Sequence, residues 1–592
     1  MIFDDLTAEQ RRLADHPDEA FTGACPGAGK TRTILERVHV ISQTRPPRKG
    51  VAVLSFTNTA VDEFLGRCRE VGENQLVEFP SYVGTFDAFL RHFIVMPAGV
   101  PGYDGRPTVV DSWDTLEVEI RLGGARAFRG PGVSLDAFDP TTGQLEVSRI
   151  RDTRLRQHAT QFAQAYEQAA RLRRRALFQA GYLSAADVRD VAVARIRDPA
   201  VGSALRAALA GRFIEVIVDE AQDCNPLDLE LVRWLRAHGL RVSLVHDIDQ
   251  AIYGFRRGQP SELAQLAGEY DQANRLPLTG NFRSSPAICG LASTLRPDQR
   301  MDEPLGRYKD LETPVLLLSY RGASISPEIG GAFTAQMERF EIPSKESIVL
   351  AHARRTARIA AGIPTERDVG NSRTERIADA VGQFWSPASG ARRRESALTS
   401  IEGLLLDFAG LRQAGEPPSR TVARLALDAR LLRRQALVIA SNSPPTCEDS
   451  DHGRSGWLAA MRGEIDALGI QPGPGVSTRS FFRAPRHGSW SRHLEGHPVK
   501  EAAIHYATVH EAKGREYAAV CLVIPPNRAP TNRTNALFDA WETRTDSEPK
   551  RVIYVGATRA MQLLCLAIPQ SVTDRTRQIL ENSQVPHEMV DC

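Results

Sequence analysis

Residues 21–35 read FTGACPGAGKTRTIL. A short apolar lead-in meets a glycine-rich turn, and the turn opens a run with helical apolar spacing at Ile34, Leu35 and Val38. The pattern is Ala24, four residues, then Gly29, Lys30 and Thr31. This is a P-loop with Ala where the strict pattern has Gly. The chemistry explains the residue types. Glycines let successive backbone N–H groups close on phosphate oxygens, and the helix N-terminus behind them adds the positive end of a dipole. Ala24, Cys25, Pro26, Gly27, Ala28 and Gly29 are therefore expected to form a cradle for ATP. Lys30 is expected to reach the β- and γ-phosphates, and Thr31 to hold Mg²⁺.

A chain of 592 residues is too long for one core, so several domains are expected. With 42% apolar and 25% charged residues the composition is that of a soluble globular protein. No run approaches the ~18 apolar residues of a membrane span, and MIFDDLTAEQ is too acidic for a secretory signal. The eight cysteines are scattered without a C-x-x-C pair, which fits a reduced, cytoplasmic protein and gives little support to a zinc or iron–sulfur site. The net charge is only +2, so any nucleic-acid binding must come from a local basic groove.

Apolar runs that end in polar loops recur: VAVLSF, FIEVIVD, RVSLVH, TPVLLLSY, SIVLAHA, YAAVCLVIPP and LLCLAIP. They read as buried parallel strands with amphipathic helices between them, an α/β plan with ligands at strand C-termini. Two long intervals lack such runs and have helical spacing. The expected plan is thus a first α/β domain in two parts (1–90 and 206–282), interrupted by a helical insertion (91–205), and a second in two parts (283–363 and 500–592), interrupted by a second insertion (364–499). Within the first, VIVDEAQD (residues 216–223) ends an apolar strand in Asp219 and Glu220. A carboxylate at a strand end beside a P-loop can hold Mg²⁺, and its neighbour can orient and deprotonate an attacking water.

From DEAQD onward the chain resembles the UvrD/Rep/PcrA group of superfamily 1 DNA helicases. HDIDQAIYGFRRG (246–258) and LTGNFRSSPAI (278–288) follow it in the family's order. LTAEQ before the P-loop is similar to the glutamine motif, SFTNTAVDEF and VGTFDAFL to the DNA-contact motifs, and ATVHEAKGREY and RVIYVGATRA to the fifth and sixth motifs. The resemblance implies two RecA-like P-loop domains with ATP between them. It implies that Gln10 reads the adenine edge, that Arg32 and Phe282 sandwich the base, and that Glu516 holds the ribose. Gln250 would sense the γ-phosphate and couple it to DNA, and Arg283 and Arg559 would clamp that phosphate from the second domain. Phe56, Tyr253 and Phe255 would stack bases, with Thr85, Arg256 and His510 nearby; such stacking is sequence-tolerant because every base has a π-face. The family usually carries Lys where Thr59 stands and His where Asp87 stands, which weakens the expected phosphate contact locally.

The expected function is ATP-dependent translocation 3′ to 5′ on single-stranded DNA with unwinding of tailed duplex. The direction follows from the resemblance alone. The second expectation is a DNA-dependent ATPase that unwinds weakly by itself and serves a partner nuclease, for example of the OLD type in antiphage defence. Neither a membrane association nor an appended nuclease domain is expected.

Overall fold

The computed structural model describes residues 2–116, 118–124, 128, 132–150, 152–237, 239–252, 260–322, 324–363, 372–386, 391–412, 418–425, 427–445, 451–484, 494, 504–527 and 532–592. Two parallel sheets organise it. The first contains β1 (Phe21–Gly23), β2 (Gly50–Ser55), β3 (Tyr82–Thr85), β4 (Phe213–Val218) and β5 (Arg241–His246), in the order β1-β5-β4-β2-β3. The second contains β6 (Val315–Tyr320), β7 (Ser347–Ala351), β8 (His505–Thr508), β9 (Tyr517–Val523), β10 (Ala560–Pro569) and β11 (His587–Asp591), in the order β8-β7-β9-β10-β6-β11. All seven apolar runs named above form strands of these sheets.

The central strands are apolar along most of their length because both faces of each sheet are covered, and β4 carries Glu215 only as a buried ion pair. Successive side chains point to opposite faces, and the cores divide accordingly. In the first sheet Ala52, Leu54, Val216 and Val218 enter one core, while Val51, Val53 and Ile217 enter the other. In the second, Leu317, Leu350, Val520 and Leu566 face one core, while Leu316, Val349, Cys521 and Cys565 face the other.

The two intervals without long strands build cores of their own. Residues 113–177 pack around Trp113, Phe138, Leu155 and Tyr166. The helices Thr153–Gln161 and Ala163–Gln179 follow the helical spacing. The residues before them differ from the expected helical insertion: they make turns and two short strand pairs, Thr108–Val110 with Tyr182–Ser184 and Glu119–Ile120 with Val133–Ser134. Pro107, Gly123, Gly124 and Gly132 break any helical run there. The next helices, Val188–Arg197 and Pro199–Arg212, place Val188, Val191, Leu205 and Leu209 in the same core as β2 and β4. In the second interval the helices Arg373–Trp385, Ala391–Phe408, Ala429–Asn442 and Asp451–Ala467 close around Ile377, Ile401, Leu404, Ile439 and Met461.

The helix after the P-loop, α2 (Lys30–Thr44), is anchored from beneath by a buried ion pair. Arg37 Nε and Nη2 reach the two Glu215 oxygens at 2.8 and 2.9 Å. The remaining guanidinium hydrogens go to the carbonyls of Leu13, His16 and Asp18. One side chain thus ties α2, β4 and the N-terminal segment together with its donors fully engaged. Removing one partner strands a buried charge, which costs about 3–5 kcal/mol, whereas replacing both with apolar groups costs far less. Glu215→Ala should therefore lower the thermal unfolding temperature sharply, and Arg37→Met/Glu215→Leu should recover most of the loss in the same melt.

Candidate nucleotide site

The C-terminal ends of β1, β4 and β5 converge, as expected for a ligand site on a parallel sheet. β1 runs into the P-loop, β4 into Asp219–Glu220, and β5 into Asp247–Gln250. Gly27 and Gly29 have φ of +73° and +72°. At Gly27 an added Cβ would lie 2.5 Å from the Arg283 Cβ; at Gly29 it would lie 2.7 Å from Gln10 Nε2. Both positions thus require glycine for backbone reasons and for space. Gly29 caps α2 with no side chain bonded to the helix N-terminus, so its first amides are not capped from the protein.

Two of the cradle residues are corrected. The Ala24 N–H donates to the His246 carbonyl at 2.8 Å and the Cys25 N–H to the Leu278 carbonyl at 3.0 Å. Their amides complete the sheet and are unavailable to phosphate, and the Cys25 side chain is buried. Pro26, Gly27, Ala28, Gly29, Lys30 and Thr31 do line a cleft of about 300 Å³. Gln10, Arg32, Asp219, Glu220, Gln250, Phe282, Arg283, Glu516 and Arg559 complete its wall, together with Ala60, Glu63, Arg67 and Gly514. Residues from both sheets therefore share one cavity, although Gln10 and Arg559 stand at opposite ends of the chain.

The charges inside are paired. Lys30 Nζ lies 2.8 Å from Glu220 Oε1. Burial alone would lower the Lys30 ammonium, but the Glu220 and Asp219 carboxylates outweigh it and hold the group above its ordinary range. Burial would raise Glu220, and Lys30 overcomes it, keeping that carboxylate ionised. Glu220 also accepts from Gln222 Nε2 and has φ +57°, an unusual conformation for a residue with a side chain. Asp219 is pushed up to about 7, first by burial and then by the neighbouring Glu220 charge. It accepts only the Glu220 N–H and has no salt-bridge partner among the described residues. A half-buried carboxyl that lines the cleft beside the P-loop suits a cation, and Thr31 on the same wall adds a hydroxyl oxygen. This oxygen donor set suits Mg²⁺.

Across the cleft, Arg283 Nε donates to Glu516 Oε1 at 2.8 Å and Nη1 to the Thr558 carbonyl. Arg559 is buried; its Nε donates to the Val555 carbonyl and its Nη2 to Gln250 Oε1 at 3.1 Å. Burial pushes Arg559 down to about 10, and the Arg283 charge adds to it. Gln10 is pinned at both ends: Oε1 accepts the Thr7 N–H and Nε2 donates to the Ala28 carbonyl. One amide hydrogen and one lone pair remain, a donor–acceptor couple that matches the N7/N6 edge of adenine and mismatches O6 of guanine. Arg32 packs over the Phe3 ring at 4.3 Å and pairs with Asp5, so Phe3 backs the side chain expected against the base.

The expected DNA residues fare unevenly. Phe56 is corrected: it is buried in the core, stacked on Phe86 at 5.4 Å and 13°, and offers no free face to a base. Thr85 caps the helix Phe86–Leu90 through its hydroxyl. His510 is half-buried, with Nε2 3.3 Å from the Ile252 carbonyl and its ring against His352. Tyr253, Phe255 and Arg256 lie outside the described residues. Asp87 is held by Arg189 Nη2 at 2.6 Å, and the same guanidinium reaches the buried Asp228. One guanidinium thus serves two carboxylates, and the charge that departs from the family pattern is only partly offset. Thr59 is exposed on the helix Asn58–Glu70.

Two matching family models cover much of the chain: the UvrD/REP helicase N-terminal domain over residues 6–271 and the UvrD-like helicase C-terminal domain over 490–571. The chain belongs to the UvrD-like helicase family. It is 25% identical to DNA helicase II of Escherichia coli (strain K12) over 306 residues, which take in 50% of this chain and 40% of that relative. It is 22% identical to the ATP-dependent DNA helicase srs2 of Schizosaccharomyces pombe, across 95% of this chain and 72% of the relative. It is also 22% identical to the ATP-dependent DNA helicase PcrA of Staphylococcus aureus (strain NCTC 8325 / PS 47), across 48% of this chain and 38% of the relative. The chain thus spans well under half the length of the DNA helicase II and PcrA relatives. Among the described residues no helix is long and apolar enough to cross a membrane.

Sequence reasoning missed several residues of this UvrD-like site. Asn281 Oδ1 accepts the N–H groups of Arg283 and Ser284 and so sets the turn that carries Arg283. Lys513 Nζ bridges to both Asp223 oxygens and the Gln250 carbonyl. Both residues stand inside the quoted motifs, but nothing local in the sequence names their partners. His246, at the end of β5, packs its ring 4.5 Å from Phe21. Burial, with the Lys30 charge adding, holds it down to about 4. Between pH 6.5 and 4 the unfolded chain takes up a proton that the folded chain refuses, so stability falls as pH falls through that window. The full contribution is about 3 kcal/mol. His246→Asn should lose less stability than the wild type over this window, read from thermal unfolding of both proteins at matched pH.

Proposed function

We propose that the chain is an ATP-dependent DNA helicase that moves 3′ to 5′ on single-stranded DNA and unwinds tailed duplex, using ATP with Mg²⁺. The observation that supports it most is the division of the cleft. Phosphate-binding and carboxylate groups come from the first sheet, and two arginines come from the second. A machine that converts hydrolysis into relative movement needs its catalytic set split in this way.

The residues suggest how the reaction proceeds. Lys30 is held by Glu220 until a phosphate offers it a stronger partner, and its transfer frees the Glu220 carboxylate. Glu220, kept ionised, then orients a water and accepts its proton. Bound Mg²⁺ would supply Lewis-acid neutralisation of the phosphate oxygens, with Thr31 and Asp219 as its holders. Arg283 and Arg559 balance the charge that develops on the transferred group, a contribution made mainly in the transition state. Gln250 touches Arg559 directly, so the state of the arginine is felt in the segment that leads on to Tyr253, Phe255 and Arg256.

Glu220→Gln should bind ATP but not turn it over, because an amide is too weakly basic to take the proton; a variant that instead loses nucleotide binding would make Glu220 structural. Arg559→Ala should lower DNA-stimulated hydrolysis by roughly 10³-fold, the low end of the arginine-finger range, while nucleotide affinity falls far less. Polarity is read by strand displacement: unwinding of a 3′-tailed duplex with none of a 5′-tailed one is expected, and the reverse would overturn the direction.

A further inference from the structure

A directional chain of hydrogen bonds leaves the nucleotide cleft and crosses into the second domain. Gln250 Oε1 accepts from Arg559, and Gln250 Nε2 donates to Asp247 Oδ2 at 2.8 Å. The same Asp247 oxygen accepts from the Tyr554 hydroxyl at 3.3 Å. The Tyr554 oxygen in turn accepts from Arg296 Nη2. Arg296 is fixed by Asp302, Nη1 to Oδ1 at 2.6 Å and Nη2 to Oδ2 at 3.0 Å, and by the Arg300 carbonyl. Its Nε lies 3.1 Å from Asp249 of the first domain. Gln250, Asp247, Tyr554, Arg296 and Asp302 are all buried.

The donors and acceptors leave this chain a single sense. An ionised carboxylate only accepts, so Asp247 must receive the Gln250 amide N–H and the Tyr554 O–H. The Gln250 carbonyl oxygen must then face Arg559, the one orientation in which that guanidinium is satisfied. Arg296 only donates, which orients the Tyr554 hydroxyl hydrogen toward Asp247. Each group fixes the sense of the next.

We propose that Tyr554 and Arg296 are positioning residues: they hold Asp247, and through it the Gln250 amide, so that Arg559 is presented to the transferred phosphate. The inference rests on the ATPase reading of the cleft. Neither residue lines the cleft, so their effect should fall on kcat and leave ATP affinity almost untouched. Substitution of Arg296 by an apolar residue strands Asp302 and Asp249 and threatens folding. Tyr554→Phe removes one oxygen and keeps the ring.

The test is steady-state ATP hydrolysis by the full chain with saturating oligo-dT. Tyr554→Phe is expected to lower kcat about tenfold, within the coupling found between members of one hydrogen-bond network, with KM for ATP within about twofold of wild type. Tyr320→Phe is the control. It also removes a buried tyrosine hydroxyl of the second domain, the one bonded to the Ile524 carbonyl, and should leave kcat and KM in place. Tyr554→Phe added to Gln250→Ala should cost nothing further, because the group being positioned is gone. A Tyr554→Phe kcat within twofold of wild type, or full additivity with Gln250→Ala, overturns the proposal. A second reading needs no turnover: the rise in unfolding temperature with Mg²⁺ and a non-hydrolysable ATP analogue, minus that with ADP. This difference should be retained in Tyr554→Phe, because a residue that acts on turnover leaves nucleotide affinity in place, and its loss counts against the relay. A wild type that binds nucleotide but does not hydrolyse it would sink the helicase reading, and the analogue–ADP difference would still decide the relay.

Discussion

Lys513 and Asp223 meet at 2.6 Å with 7% and 2% of their side chains exposed. A charge taken that far from water is tolerated only with its partner in place, so this pair fixes how the second sheet sits on the first. Lys513 lies just ahead of β9, and Asp223 shortly after β4. The same seam carries Arg551 Nε to the Ala251 carbonyl and His510 to the Ile252 carbonyl. Residues 247–252, the first after β5, therefore carry most of the polar grip between the domains. They also contain Gln250, which touches Arg559. The segment that joins the two sheets thus also lines the cleft through Gln250, and no lever has to be placed between them.

Much of this was legible in the sequence, for reasons that are local. A strand buried on both faces is mostly apolar, so seven runs stand out even with a paired Glu215 in one of them. A P-loop needs glycine at two left-handed positions, and Gly27 and Gly29 supplied them. Asp219 and Glu220 follow an apolar run directly. What escaped depends on distant partners. Phe56 belongs to a motif, yet whether its ring meets a base or Phe86 is decided by packing thirty residues away. Ala24 and Cys25 fit the cradle pattern, but their amides are consumed by His246 and Leu278. Asp87 looked like a repulsive charge beside DNA until Arg189, from the far side of an insertion, was found on it. Tyr554 and Asp247 are separated by 307 residues, and neither announces the other. The short strands before Thr153 were missed because two or three residues carry no period.

The cleft gains its ligand selectivity from charges that already balance. Lys30 is matched by Glu220 and Arg283 by Glu516, while burial and the Glu220 charge hold the Asp219 carboxyl above its ordinary range. A polyphosphate that took both cations would leave Glu220 and Glu516 without those partners, with Asp219 adjacent to Glu220, and in a partly buried site that repulsion opposes binding. A divalent cation bound with the phosphate would reverse the balance: held by Asp219 and Thr31, it would favour the ionised Asp219 and offset the freed carboxylates, with Glu220 still accepting from Gln222. On the proposed reading an anion alone is disfavoured and a cation alone meets Lys30, so these charges favour the two together. The same pairing ties the carboxylate proposed as the base to Lys30 and one arginine to Glu516, so both must exchange partners before either can serve a phosphate.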